Sequence, residues 1–96
     1  MKIDFNKKDG ELIVLIDGRL DTITAPALEN FLGSNYEGNT SLIFDCEKLS
    51  YISSAGLRVL LTAHKRMKGA MKLKNVNELV MEVLEMTGFA DIWEIE

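Results

Sequence analysis

The sequence predicts an α/β fold: one domain over residues 1–96, a small mixed and largely parallel β-sheet with packed helices, in the order β-β-α-β-α-β-α-β. Three observations carry this prediction. Ninety-six residues suffice for one hydrophobic core and are too few for two. The N-terminal seventeen residues carry the signature of a hairpin: an alternating segment, a turn dipeptide and an apolar run. Beyond it, short apolar runs alternate with segments of helical period, and each helical crossover returns the chain parallel to the preceding strand.

Each element follows from its residues. In Lys2–Lys7, Ile3 and Phe5 share one face and Asp4 and Asn6 the other, as in a half-exposed edge strand. Asp9-Gly10 suits the positive φ angles of a type I′ turn, and Leu12–Ile16 is continuously apolar, as a strand covered on both faces would be; strands over 2–8 and 11–17 result. Gly18 ends the second strand. Thr24-Ala25-Pro26 reads as a helix start with Thr24 as N-cap and Pro26 in the first turn, and Leu28, Phe31 and Leu32 form a short stripe behind it. Gly33–Thr40 reads as a loop, and Leu42, Ile43 and Phe44 as a buried strand. Ser54–Lys68 places Leu57, Leu60, Leu61 and His64 on one helix face, with Gly69 as the stop. Ala70–Lys74 alternates as a strand; Asn77 caps a third helix with Val80, Val83 and Leu84 inward, and Thr87-Gly88 closes it. Trp93 and Ile95 suggest a last short strand.

Composition excludes several classes of function. Hydrophobic residues at 47% and charged residues at 27% are those of a globular chain. A net charge of −4 offers no basic field for nucleic acid or an anionic membrane surface. The N-terminus has charges where a signal peptide needs an apolar stretch, and no run approaches a membrane span, so a cytoplasmic location is expected. With one cysteine, Cys46, and one histidine, His64, neither a disulfide nor a structural zinc site is expected. Cys46 reads as a small buried hydrophobe rather than a reactive thiol.

Catalytic groups are scarce. His64 lies ten residues along a helix from Ser54, roughly 15 Å, and so cannot activate that serine; no phosphate-cradling glycine loop occurs. No catalytic residue, metal, cofactor or small-molecule substrate is therefore expected. The unusual segment is Leu49–Leu61, in which Ser53 and Ser54 precede Ala55-Gly56 at the start of an apolar helix. Free N–H groups and the positive end of the dipole stabilise an anion there, and the small residues admit a close surface; equally, one serine is simply the helix cap. Asp21 either closes an Asx turn after Gly18 or meets a partner, and Arg58, one turn into the helix, is either a contact or ordinary surface.

Three stretches resemble one known family, the STAS-domain anti-sigma factor antagonists of bacteria: Gly18-Arg19-Leu20-Asp21 with Thr24-Ala25-Pro26; Tyr51-Ile52-Ser53-Ser54-Ala55-Gly56-Leu57; and Met86-Thr87-Gly88-Phe89. Family members more often have Asp at the position of Ser53 and Ser or Thr at that of Ala55. The resemblance implies phosphorylation at Ser54, the serine two places before the glycine, and a partner-binding surface including Asp21, Thr24, Ser53, Ser54, Gly56 and Arg58. It implies that the unphosphorylated protein binds an anti-sigma factor that is itself a serine kinase, freeing the sigma factor, that phosphorylation abolishes binding, and that a PP2C-type phosphatase restores it. ATP would belong to the kinase. The alternative is a scaffold subunit of a stress-signalling or transporter complex that never switches.

Overall fold

The computed structural model describes all 96 residues. Strands β1 (Lys2–Lys8) and β2 (Glu11–Leu20) form the expected antiparallel hairpin, with Lys8 opposite Glu11 and both turn residues, Asp9 and Gly10, at positive φ. Then follow α1 (Ala25–Gly33), β3 (Ser41–Asp45), β4 (Leu49–Ile52), α2 (Ser54–Arg66), β5 (Met71–Lys74), α3 (Glu78–Thr87), a 3₁₀ turn (Phe89–Asp91) and β6 (Glu94–Ile95). The sheet runs β1-β2-β3-β5-β6, parallel throughout after the hairpin, and β4 pairs in parallel with the far end of β2.

Two expectations are corrected here. Gly18 does not end β2. Its φ of +107° makes an irregularity after which Arg19 and Leu20 resume pairing, against Tyr51 and Ile52 of β4, a strand the sequence reading did not anticipate. Nor is Leu12–Ile16 covered on both faces. Leu12, Val14 and Ile16 enter one core with Leu28 and Leu32 of α1, Leu57 and Leu60 of α2, and Val80 and Leu84 of α3, whereas Leu15, on the opposite face, is 39% exposed. All three helices therefore cover one face of the sheet, and strand alternation sends every second β2 side chain to the uncovered face.

The face that α2 buries differs from the expected stripe. Gly56, Leu57, Val59, Leu60 and Ala63 are buried, while Leu61 and His64 lie half-buried at its rim. Small residues at 56 and 63 let the helix lie close to the sheet but add little to an apolar pattern read by size. Asn77 caps α3 as expected, accepting from the Val80 amide at 2.9 Å, and its side-chain amide also donates to the Leu49 carbonyl at 2.8 Å, tying β4 to α3. Gly88 ends α3 in the left-handed conformation. Cys46 is fully buried and burial, aided by Asp45, pushes its thiol up to about 12, which agrees with an inert hydrophobe.

Candidate functional site

The end of β2 and the start of α2 lie side by side because β4 feeds directly into α2. The Ser53 amide donates to the Leu20 carbonyl at 2.9 Å, continuing the β2–β4 pairing by one residue. Ser53 is extended (φ −102°, ψ 176°) and is the N-cap of α2, its Oγ accepting from the Gly56 amide at 3.4 Å. Capping is thus done by Ser53. Ser54, the first helical residue, is exposed and its hydroxyl takes no part in a hydrogen bond, so nothing in the fold needs it.

Gly56 faces inward. A Cβ there would lie 2.9 Å from the Leu20 carbonyl oxygen and 3.0 Å from Ile52 Cγ1. The expected close approach at Gly56 is therefore made by the protein's own β2, and the residue is removed from the surface that a partner could touch.

The β2–α1 turn is built around Asp21. Its Oδ1 accepts from the Ile23 and Thr24 amides at 3.0 and 3.1 Å, its carbonyl accepts from the Ala25 amide, and Arg19 Nε stands 3.6 Å from Oδ2. The Thr24 amide above all, with the Ile23 amide, the Thr24 hydroxyl and Arg19, holds the Asp21 carboxyl below its usual range. This is the Asx-turn reading of Asp21. Arg19 also lies over the Tyr51 ring, 4.2 Å from its centroid. Thr24 sits at the N-cap position of α1 but its side chain does not cap, contrary to expectation: its hydroxyl donates to the Arg19 carbonyl at 2.7 Å and accepts from the Asp21 amide at 2.9 Å. The turn takes that hydroxyl because it closes over five residues before the helix begins.

Two shallow grooves flank the start of α2. One is lined by Thr22, Ala25, Pro26 and Glu29 against Ala55 and Arg58; the other by Thr87 and Phe89 against Ser54, Leu57, Arg58 and Leu61. Arg58 borders both and pairs with no carboxylate. Sequence reasoning passed over the exposure of two apolar residues whose chain neighbours line these grooves: Ile23, 87% exposed, and Met86, 85% exposed, which was read only as part of the Met86-Thr87-Gly88-Phe89 stretch. The signal for Met86 was available, since it falls out of phase with the buried Val80 and Leu84. No group of His, Cys, Asp and Glu side chains has the arrangement of a metal site.

One-sided helix cover and parallel crossovers after a hairpin define the class: a small α/β domain on a mixed six-stranded sheet. The chain belongs to the STAS domain family, which matches residues 2–96. Its relatives include BtrV of Bordetella bronchiseptica, provisionally named an anti-sigma factor antagonist, 35% identical and covering 99% of this chain and 85% of that protein. The anti-sigma-B factor antagonist of Bacillus subtilis is 30% identical over 99% of this chain and 90% of its own. Proteins so named are regulatory binding proteins rather than enzymes. Among solved structures, the Bacillus anti-sigma factor antagonist SpoIIAA shares the fold in its unphosphorylated form, with a TM-score of 0.83 at 16% identity over 99% of this chain and 88% of that one. Its phosphorylated form superposes with a TM-score of 0.75 at 15% identity, over 99% and 91%. No helix of the chain is long and apolar enough to cross a membrane.

Proposed function

We propose that the chain is an anti-sigma factor antagonist switched at Ser54. Unmodified, it binds an anti-sigma factor that is itself a serine kinase, so that the sigma factor is released. The kinase transfers the γ-phosphoryl group of ATP to Ser54 Oγ, the hydroxyl proton leaving to a base of the kinase and ADP departing, and binding is lost. A PP2C-type phosphatase then hydrolyses the ester, returning serine and inorganic phosphate. Both proteins meet the chain in the cytoplasm.

The observation that carries this reading is the division of labour between the two serines. Ser53 caps α2, whereas Ser54 offers an exposed hydroxyl with no structural duty. A phosphoserine carries about −1.5 to −2 charges and is tolerated at a helix N-terminus, so the modification alters the surface and not the fold. Asp21 and Thr24 shape the turn beside it, and Ser53, Ser54 and Arg58 supply the contact surface. Gly56 supports that surface from beneath.

The test starts with the unmodified protein as bait in a pull-down from its own cytosol. The captured kinase is then incubated with the chain and ATP, and intact mass is read. One phosphate on the wild type and none on Ser54→Ala is expected. A chain that gains none is a fixed scaffold, and undiminished incorporation in Ser54→Ala moves the site to Ser53 or elsewhere.

A further inference from the structure

Ser54 and Arg58 are four residues apart on α2, both exposed, and both border the groove lined by Thr87 and Phe89. Residues at this spacing are neighbours on a helix face, and long side chains lean toward the helix N-terminus, which puts a group on Ser54 Oγ within reach of the Arg58 side chain. Its guanidinium is free of any carboxylate; the only acid bordering a groove with it is Glu29 of α1, on the side away from Ser54, and no ion pair joins them. The one acid of the β2–α1 turn, Asp21, is already engaged with Arg19. Guanidinium and phosphate form paired, charge-assisted hydrogen bonds, with the planar fork matching two phosphate oxygens.

We infer that Arg58 is the intramolecular counter-ion of phosphorylated Ser54. The inference rests on Ser54 being the modified residue and adds the group that receives the phosphate. In the unmodified protein Arg58 is a free cation on the binding surface. In the modified one it is occupied, so one event places a phosphate on that surface and withdraws a guanidinium from it. Modification is then matched by a local partner and leaves the domain folded.

The test needs no kinase. Phosphoserine is incorporated at position 54 of the full chain during translation, with Arg58 retained or replaced in Arg58→Gln, and the second ionisation of the phosphate is followed by phosphorus NMR. That ionisation lies at about pH 6 in an exposed phosphoserine. With Arg58 present it is expected at least about 0.3 pH unit lower than in Arg58→Gln, because a nearby cation favours the dianion. Arg58→Gln is also expected to lower the melting temperature of the phosphorylated protein by about 1 to 4 °C more than that of the unmodified one. Equal ionisation in the two proteins, or an equal loss of stability with and without phosphate, would overturn the inference and give Arg58 to another group, Glu29 first. Because the phosphate is installed without the partner, these readings stand apart from whether a kinase acts on Ser54.

Discussion

Gly56 rests directly on Leu20: a Cβ at position 56 would stand 2.8 Å from Leu20 Cγ and 2.9 Å from its carbonyl oxygen. Real Cβ atoms do not come so near to backbone, so α2 approaches the β2 end as closely as it does only because residue 56 is glycine. This contact and the Ser53 amide bond to the Leu20 carbonyl hold the exposed face of the α2 start against the Asp21 turn.

Gly56→Ala is therefore expected to destabilise the domain by about 1 to 3 kcal/mol despite alanine's better helix propensity, because the strand backbone has no room to give. Gly56→Glu should not fold stably. Thermal unfolding checks both, and an unchanged melting temperature in Gly56→Ala would show that the contact with Leu20 is not tight.

The two serines are expected to separate cleanly. Ser53→Ala loses the cap and leaves the Gly56 amide unpaired, which costs about 1 kcal/mol and so about 4 to 8 °C in a domain of this size. Ser54→Ala removes an unbonded hydroxyl and should melt within about 2 to 4 °C of wild type, since surface changes away from special features stay within about 0.5 kcal/mol. A larger loss for Ser54→Ala than for Ser53→Ala would reverse the assignment of the cap.

Ser54→Asp should keep or slightly raise the melting temperature while weakening partner binding at least about tenfold, a loss of about 1.4 kcal/mol in binding free energy. The helix dipole favours the anion by about 0.3 to 1 kcal/mol, and desolvating the added charge against a partner costs more than that. Full affinity, read by titration calorimetry, would place Ser54 outside the interface; a marked fall in stability would mean that the charge acts by disordering the domain.

Asp21 predicts an acid-side signature. Its folded ionisation lies below the usual value of 3.8, so between the two values the unfolded chain binds more protons and stability rises with pH. The stabilisation is complete above the ordinary carboxylate range and fades as the pH falls through the lowered folded value. Urea midpoints for wild type and Asp21→Asn should differ at pH 6 and converge as the pH drops below 3.8. A gap independent of pH would mean that the side chain acts through shape alone.

Much of this protein was legible in its residues, and the legible part is local. The hairpin follows from the alternation in Lys2–Lys7 and from Asp9-Gly10, whose positive φ angles the structure bears out. Asn77 and Gly88 mark the ends of α3 because capping bonds span only three or four residues. Ser54 was legible as a residue at a helix start, and Cys46 as a buried thiol. What remained closed to local reading depends on partners distant in the chain. Strand β4 is four residues whose partner, the end of β2, is some thirty positions away and beyond an irregularity at Gly18. Which face of Leu12–Ile16 is covered depends on where three helices land, and a run of apolar residues reads alike in both cases. The choice of Ser53 over Ser54 as cap turned on the Leu20 carbonyl, which fixes Ser53 in the extended backbone that an N-cap needs, and the inward place of Gly56 on the same strand. The sequence by itself determined the elements and the serine pair; tertiary pairing between β2 and β4 decided which serine the fold uses and which it leaves free, because only a distant backbone could set the φ and ψ of residue 53.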